Sequence, residues 1–216
     1  VPKPLIEINN KSMIRLVIEN LTPSIEHKFI FICQKVHIIE HSLLDEIKNV
    51  TKNFEIIEID KITNGPASTV LLARDFFEND DQMMVANCDQ YVDINIDEYL
   101  LKMKHIDGLI MTMWADDPKW SFVKFDQNKN IIEVVEKKVV SNVATVGIYN
   151  FSNGKIFCKY ADMMINKNDR VNNEFYVAPI YNYLLKDKKI ISTYDVTNNM
   201  YGLGTPEDLK IFLERF

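Results

Sequence analysis

The chain has 216 residues, 47% of them hydrophobic and 26% charged, which is ordinary globular usage and excludes disorder, collagen-like repeats and coiled coil as global descriptions. A chain of this length buries roughly 70% of its unfolded surface, so it needs no disulfide or metal staple. The formal net charge of −6 argues against a dedicated nucleic-acid binder, although a few lysines in a cleft still suit a small anionic ligand.

In chain order, Val1-Pro2-Lys3-Pro4 opens without an initiator methionine and reads as the remainder of a longer chain. Pro2 and Pro4 are expected to hold the backbone extended and present Lys3 rigidly, the alternative being a solvated lysine. The apolar run Phe29-Ile30-Phe31-Ile32-Cys33 predicts a strand buried on both faces. Val36, Ile39, Leu43, Ile47 and Val50, three or four apart, predict one helix over 36–50. Residues 54–59 return to strand, and 67–77 read as helix after the Asn64-Gly65-Pro66 turn. A strand at 83–86, a helix at 94–104 and a strand at 108–114 continue an alternation that predicts a parallel sheet with covering helices. The period then changes. Residues 122–125 and 131–135 flank the polar stretch 126–130 as a hairpin, 143–149 is a strand, 154–166 and 175–186 are helices, and 190–194 is an edge strand. Thr205 as N-cap, Pro206 at the first helical position, then Glu207 and Asp208, start the last helix. Without repeats or a linker, the expectation is one α/β domain over 1–216: a Rossmann-like, mostly parallel mixed sheet flanked by helices, with an inserted hairpin.

Cys33, Cys88 and Cys158 are odd in number and form no C-x-x-C pair, which fits a reduced, cytoplasmic compartment and buried small side chains. No apolar run approaches the roughly 18 residues of a membrane span, and no secretory signal opens the chain.

Ligands of open α/β sheets bind beyond the carboxyl ends of the strands. Asn87-Cys88-Asp89-Gln90 follows the strand at 83–86, so Asp89 falls at such an end, where it could hold Mg²⁺ or simply cap the next turn. Gly65-Pro66-Ala67-Ser68-Thr69 has small residues at a helix start. It suits a ligand or an ordinary turn, and it is no P-loop because no G-K-[ST] follows. Glu136-Lys137-Lys138 by its pattern is an exposed strand end. His37 and His41 are not an H-E-x-x-H pair, no G-x-S-x-G exists, and Gly202-Leu203-Gly204 lacks the third glycine of a dinucleotide fingerprint.

Taken together, these fragments resemble the nucleotide-sugar pyrophosphorylase type of nucleotidyltransferase. Pro2 to Ile14 looks like the family's P-K-P segment, Gly65 to Leu72 like its base-binding loop and helix, and Val85 to Asp93 like the strand ending in the metal-binding Asp. Val135-Glu136-Lys137-Lys138 resembles the E-K-P segment, Val146-Gly147-Ile148-Tyr149 the strand after it, and Gly202 to Leu209 the late G-T-P-x-D-L helix start. The resemblance runs nearly end to end in the family's order. It implies transfer of a nucleoside monophosphate from a nucleoside triphosphate, a pyrimidine being favoured, to a small phosphorylated acceptor. The expected acceptor is a sugar 1-phosphate and the pathway nucleotide-sugar or surface-polysaccharide synthesis. Lys3 would neutralise triphosphate charge, Asp89 would hold Mg²⁺, and Lys137 would pair with the acceptor phosphate. Glu136 would bind acceptor hydroxyls, and Gly65, Ala67 and Ser68 would lie against base and ribose. Asn87, Gln90, Gly147 and Glu174 complete the implied substrate-binding set. No nucleic-acid or membrane partner is implied, and a homo-oligomer stays open.

Three departures stand out. The family's G-x-G-x-R loop would precede the P-K-P segment and is not in the sequence. Val177 stands where a second metal carboxylate is expected. The W-x-D-T-G-T motif is replaced by Met200-Tyr201-Gly202-Leu203-Gly204-Thr205. These leave open a cytidylyltransferase acting on a non-sugar phosphorylated metabolite, and a non-catalytic binding or regulatory homologue.

Overall fold

In a computed structural model describing residues 1–216, Lys3–Leu5 forms a 3-10 turn rather than an extended arm. Proline is tolerated at the start of a helical turn, and the Leu5 N–H reaches the Pro2 carbonyl at 2.9 Å. A short hairpin, β1 (Glu7–Ile8) and β2 (Lys11–Ser12), leads into α1 (Met13–Leu21), whose Ser12 cap accepts from the Arg15 N–H at 3.3 Å. Then come β3 (Phe29–Gln34), α2 (Lys35–His41), α3 (Leu43–Val50) and β4 (Phe54–Ile59). The single helix expected over 36–50 is broken at Ser42, which takes a left-handed φ of 55° and leaves Val36 and Ile39 exposed. Next are α4 (Pro66–Leu71), α5 (Arg74–Phe77), β5 (Met83–Ala86), β6 (Gln90–Val92), α6 (Ile96–Leu101) and β7 (Gly108–Trp114). The remainder is β8 (Ser121–Phe125), β9 (Ile131–Glu136), β10 (Val143–Phe151), α7 (Gly154–Asn166), α8 (Ile180–Lys186), β11 (Ile191–Asp195), β12 (Met200–Gly202) and α9 (Pro206–Arg215).

The chain divides into two compact units: Val1–Lys61 with Asn87–Leu100 and Asn199–Phe216, and Ile62–Ala86 with Leu101–Asn198. In the first unit β3 and β4 pair in parallel, and β6 pairs with β12 antiparallel. Ile14 and Ile18 of α1 pack on Leu43 and Ile47 of α3, with Phe29, Phe31 and Phe54 against them. Because β3 and β4 pair only with each other, their side chains are half-buried rather than enclosed on both faces. Asn20 replaces a missing strand beside β6. Its amide donates to the Val92 carbonyl at 2.7 Å and accepts from the Val92 N–H at 2.9 Å.

The second unit is built on a six-stranded sheet in the order β11-β7-β10-β8-β9, with β5 also on β10. One edge of β10 pairs with β7. The other is shared, its start with β8 and its end with β5. The α/β class and the mixed sheet flanked by helices are as expected, as is the hairpin of β8 and β9. The share of parallel pairing is not: in this sheet only β11 and β7 run parallel. The alternation rule treats successive strands as neighbours, whereas β10 enters later and runs antiparallel to β5, β7 and β8. Its interior is aromatic, with Phe151 stacked on Tyr181 at 4.7 Å and edge-on to Phe157 at 5.0 Å. Cys158 is buried as expected, but Cys33 is only partly so and Cys88, in the turn before β6, is exposed. No helix is long and apolar enough to cross a membrane.

Candidate functional site

The 3-10 turn at the chain start aims Lys3 at a residue 86 positions away. Its Nζ lies 2.6 Å from Asp89 Oδ2, with both side chains partly open to solvent. Asp89 is fixed from behind by its own backbone, whose carbonyl accepts the Leu203 N–H at 2.8 Å, just beyond the β6–β12 ladder. Gly204 completes this corner. A Cβ there would stand 3.0 Å from Asp89 Oδ2 and 3.0 Å from Lys3 Nζ, so the glycine leaves the pair room that any side chain would tighten. Asn87 is exposed, and Gln90 is 4% exposed with its Nε2 lacking a hydrogen-bond partner, so neither joins the pair.

The second unit collects the other expected residues. Gly65, at φ +121°, caps α4 in a conformation that side chains rarely adopt, and a Cβ would stand 2.6 Å from the Phe175 nitrogen. This close approach zips two segments together. The Phe175 N–H donates to the Asn64 carbonyl at 2.8 Å, and the Ala67 N–H donates to the Phe175 carbonyl at 2.9 Å. Residues 174–177 are therefore held as a strap beside the Gly65 turn, not as the start of the helix expected over 175–186. Glu174 on that strap accepts the Tyr176 hydroxyl at 2.5 Å. The hydrogen bond to Glu174 and burial push the Tyr176 phenol up to about 12. Ser68 is half-buried in α4 and bonds to none of these groups.

Glu136 ends β9 with its side chain 8% exposed, and its nearest cation, Lys137 Nζ, is 3.9 Å away. Burial pushes its carboxyl up to about 7, Lys137 opposing and the Glu174 charge reinforcing the rise. Lys137 takes a left-handed φ of 56°. Its ammonium donates to the Lys119 carbonyl at 3.2 Å and lies 5.3 Å from the Tyr176 ring centre. Beneath Glu136 lies a buried hydroxyl network. Ser121, its register partner across the hairpin, bonds Thr145, and Thr145 bonds Tyr149 at 2.8 Å. Burial pushes the Tyr149 phenol up to about 12, so it is neutral in this network. Gly147, buried and at φ +83°, sits where β10 shifts register against β7 and changes partner from β8 to β5. Val177, where a second carboxylate was expected, is apolar and 5% exposed.

The expected residues thus fall into two sets, Lys3 with Asp89, and Gly65, Ala67 and Glu174 with Glu136 and Lys137. Sequence reasoning passed over Gly204 as a bearer of clearance, and Tyr176. The available signal for Tyr176 was its place two residues after Glu174, a spacing that puts both side chains on one face of an extended segment.

The bifunctional protein GlmU of Methanocaldococcus jannaschii is 26% identical over 191 residues, which is 88% of this chain and 43% of the relative. The chain spans less than half the length of the curated relatives it matches. The nucleoside-diphosphate-sugar pyrophosphorylase of Vibrio cholerae RC9 has the same fold, with a TM-score of 0.82 at 22% identity over 99% of this chain and 92% of that one. So does UDP-glucose pyrophosphorylase complexed with UDP-glucose, with a TM-score of 0.79 at 16% identity over 100% of this chain and 92% of that one. The nucleotidyl transferase family matches residues 1–209, a span that takes in both sets of residues, and the chain belongs to that family of transferases.

Proposed function

We propose that this chain transfers a nucleoside monophosphate from a nucleoside triphosphate to the phosphate of a sugar 1-phosphate. An acceptor phosphate oxygen attacks the α-phosphorus in line, the bond from that phosphorus to the bridging oxygen breaks, and pyrophosphate leaves. The observation that carries the reading is the meeting of Lys3 and Asp89 at 2.6 Å, a cation and a carboxylate from distant motifs on one corner. In this reading the Lys3 ammonium neutralises charge on the triphosphate, and Lys137 pairs with the acceptor phosphate. Glu136 in its ionised form accepts hydrogen bonds from acceptor hydroxyls, while Tyr176 holds the Glu174 carboxylate in place. The Gly65 turn with Ala67 and Ser68 offers its backbone to base and ribose, and Gly147 offers its backbone to the acceptor. The protein contributes positioning and charge, with no covalent intermediate.

Mg²⁺ suits this donor set. Asp89 already attracts a cation in the form of the Lys3 ammonium, and the chain has no cluster of three or more ligating side chains. Mg²⁺ commonly takes one or two carboxylates and completes its shell with water and substrate phosphates, so Asp89 would be its protein ligand. When bound, the ion would draw negative charge from the phosphate oxygens.

A second reading, cytidylyl transfer to a non-sugar phosphorylated metabolite, draws on the apolar Val177 in place of a second carboxylate. Pyrophosphate release measured over a grid of triphosphates against sugar 1-phosphates and phosphorylated amino alcohols separates the two. The first reading expects turnover with sugar 1-phosphates, the second turnover only with CTP and non-sugar acceptors. Nucleotide binding without pyrophosphate release on any acceptor would make the chain a non-catalytic homologue.

A further inference from the structure

Asp89 faces a cation that belongs to the chain itself. Lys3 Nζ sits 2.6 Å from Oδ2, a short charge-assisted hydrogen bond to the carboxylate that would hold the metal. The pair is not sealed in: the side chains are 45% and 33% exposed, so the ammonium can leave without any backbone opening. Gly204 leaves the room for it, since a Cβ would crowd both partners at 3.0 Å. The turn that carries Lys3 is fixed by backbone bonds from Leu5 to Pro2 and from Ile6 to Lys3, at 2.9 and 3.1 Å, so the lysine swings about its own side-chain torsions. The geometry points to the Lys3 ammonium as a resident counter-ion, displaced from Asp89 when a divalent cation arrives and handed to the phosphates that arrive with it.

This inference rests on the reading of Asp89 as the metal ligand and adds a consequence to it. Without phosphates, a divalent cation must break the ion pair and leave an ammonium beside a dication, so the free protein holds metal weakly. With triphosphate present, both cations have anionic partners, and metal and nucleotide favour one another's binding. One lysine thereby serves two states, keeping the carboxylate placed in the first and binding phosphate in the second.

Mn²⁺ alone, titrated into the nucleotide-free protein and followed by loss of the free-ion paramagnetic resonance signal, tests it. Lys3→Met should bind Mn²⁺ about fivefold more tightly than the unaltered chain, the scale of one partly exposed ion pair. Lys3→Arg should bind as weakly as the unaltered chain, and Asp89→Asn added to Lys3→Met should remove the gain. Lys3→Gln repeats the measurement if the Met variant fails to fold. Equal Mn²⁺ affinity with and without Lys3, lost in Asp89→Asn, would overturn the exchange and leave Asp89 as the metal ligand. A gain in Lys3→Arg as large as in Lys3→Met would also overturn it, because charge would not be what holds the metal off. Mn²⁺ binding unchanged by Asp89→Asn in every background would overturn both the exchange and the metal assignment.

Discussion

Glu136 costs the folded state free energy. Its carboxyl is raised from an ordinary 4.5 to about 7 by burial, so the native protein holds this proton more tightly than the unfolded chain does. The protonated form's contribution to stability is therefore fully present below pH 4.5 and is lost as pH rises through about 7, where the buried group ionises. A rise of this size corresponds to about 3 kcal/mol. Glu136→Gln should consequently raise the thermal midpoint at pH 8, with little difference from the unaltered chain at pH 5. An equal midpoint at both pH values would remove the electrostatic account. The same variant should lose acceptor affinity, a trade of stability against function expected at a binding carboxylate. The two lysines should separate kinetically. Lys137→Ala should raise the acceptor's half-saturation roughly 10- to 100-fold, because a charge-assisted phosphate contact contributes roughly 1.5–3 kcal/mol, and should leave the nucleotide's nearly unchanged. Lys3→Ala should weaken the triphosphate instead. Equal losses for both substrates in both variants would indicate a folding defect, checked by thermal unfolding. Sequence singled out both lysines because each stands in a segment that resembles one of the family's. Tyr176 was not, because its role comes from contacts with Glu174 and Lys137 that only the fold makes.

At the scale of elements, sequence periodicity located most of the later helices, passed over α1, and missed where others stop. The 3.6-residue pattern runs on from Val36 to Val50, but one left-handed serine is enough to redirect the backbone, and periodicity carries no signal for it. The strap at 174–177 was misread for the opposite reason: Phe175 and Val177 carry an apolar pattern, yet the Phe175 backbone is held by the Gly65 turn rather than by a helix. β10 escaped because pairing order is a tertiary property, although its nine-residue length and near-complete burial suit a central strand. The short β6–β12 ladder was unreadable, being three residues on each side and joined across a long stretch of chain. The Gly65 junction supplies the prediction at this scale. Gly65→Ala must place a Cβ against the Phe175 backbone and hold a left-handed φ, so it should cost about 1–3 kcal/mol in denaturant unfolding. It should also quicken hydrogen exchange at the Phe175 and Ala67 amides, whose bonds close the junction. Unfolding at an unchanged denaturant midpoint would mean that the strap is not held there.

At the scale of the whole molecule, the chain passes between its two units at residues 61–62, 86–87, 100–101 and 198–199. The first unit is thus assembled from three separate stretches of sequence, and its last stretch does more than end the chain. Asn199–Phe216 supplies β12, the only strand paired with β6. It also supplies the Leu203 N–H that fixes Asp89, Gly204, and the rings of Tyr201, Phe212 and Phe216 that pack on Tyr91 and one another. The second unit takes no residue from it, and the β7–β10 ladder with its Phe151 and Tyr181 packing is internal to that unit. A chain ending at Asn198 should therefore keep slow hydrogen exchange at the amides of β7 and β10. The amides of Tyr91 and Asp93, which face β12 and the Asn199 carbonyl beside it, should lose their protection, and pyrophosphate release should fall to background because Asp89 is no longer positioned. Acceleration of β10 exchange to the same degree as β6 would show that the two units unfold as one. Retained protection in β6 would show that Asn20, with its two bonds to Val92, suffices to hold that strand without β12.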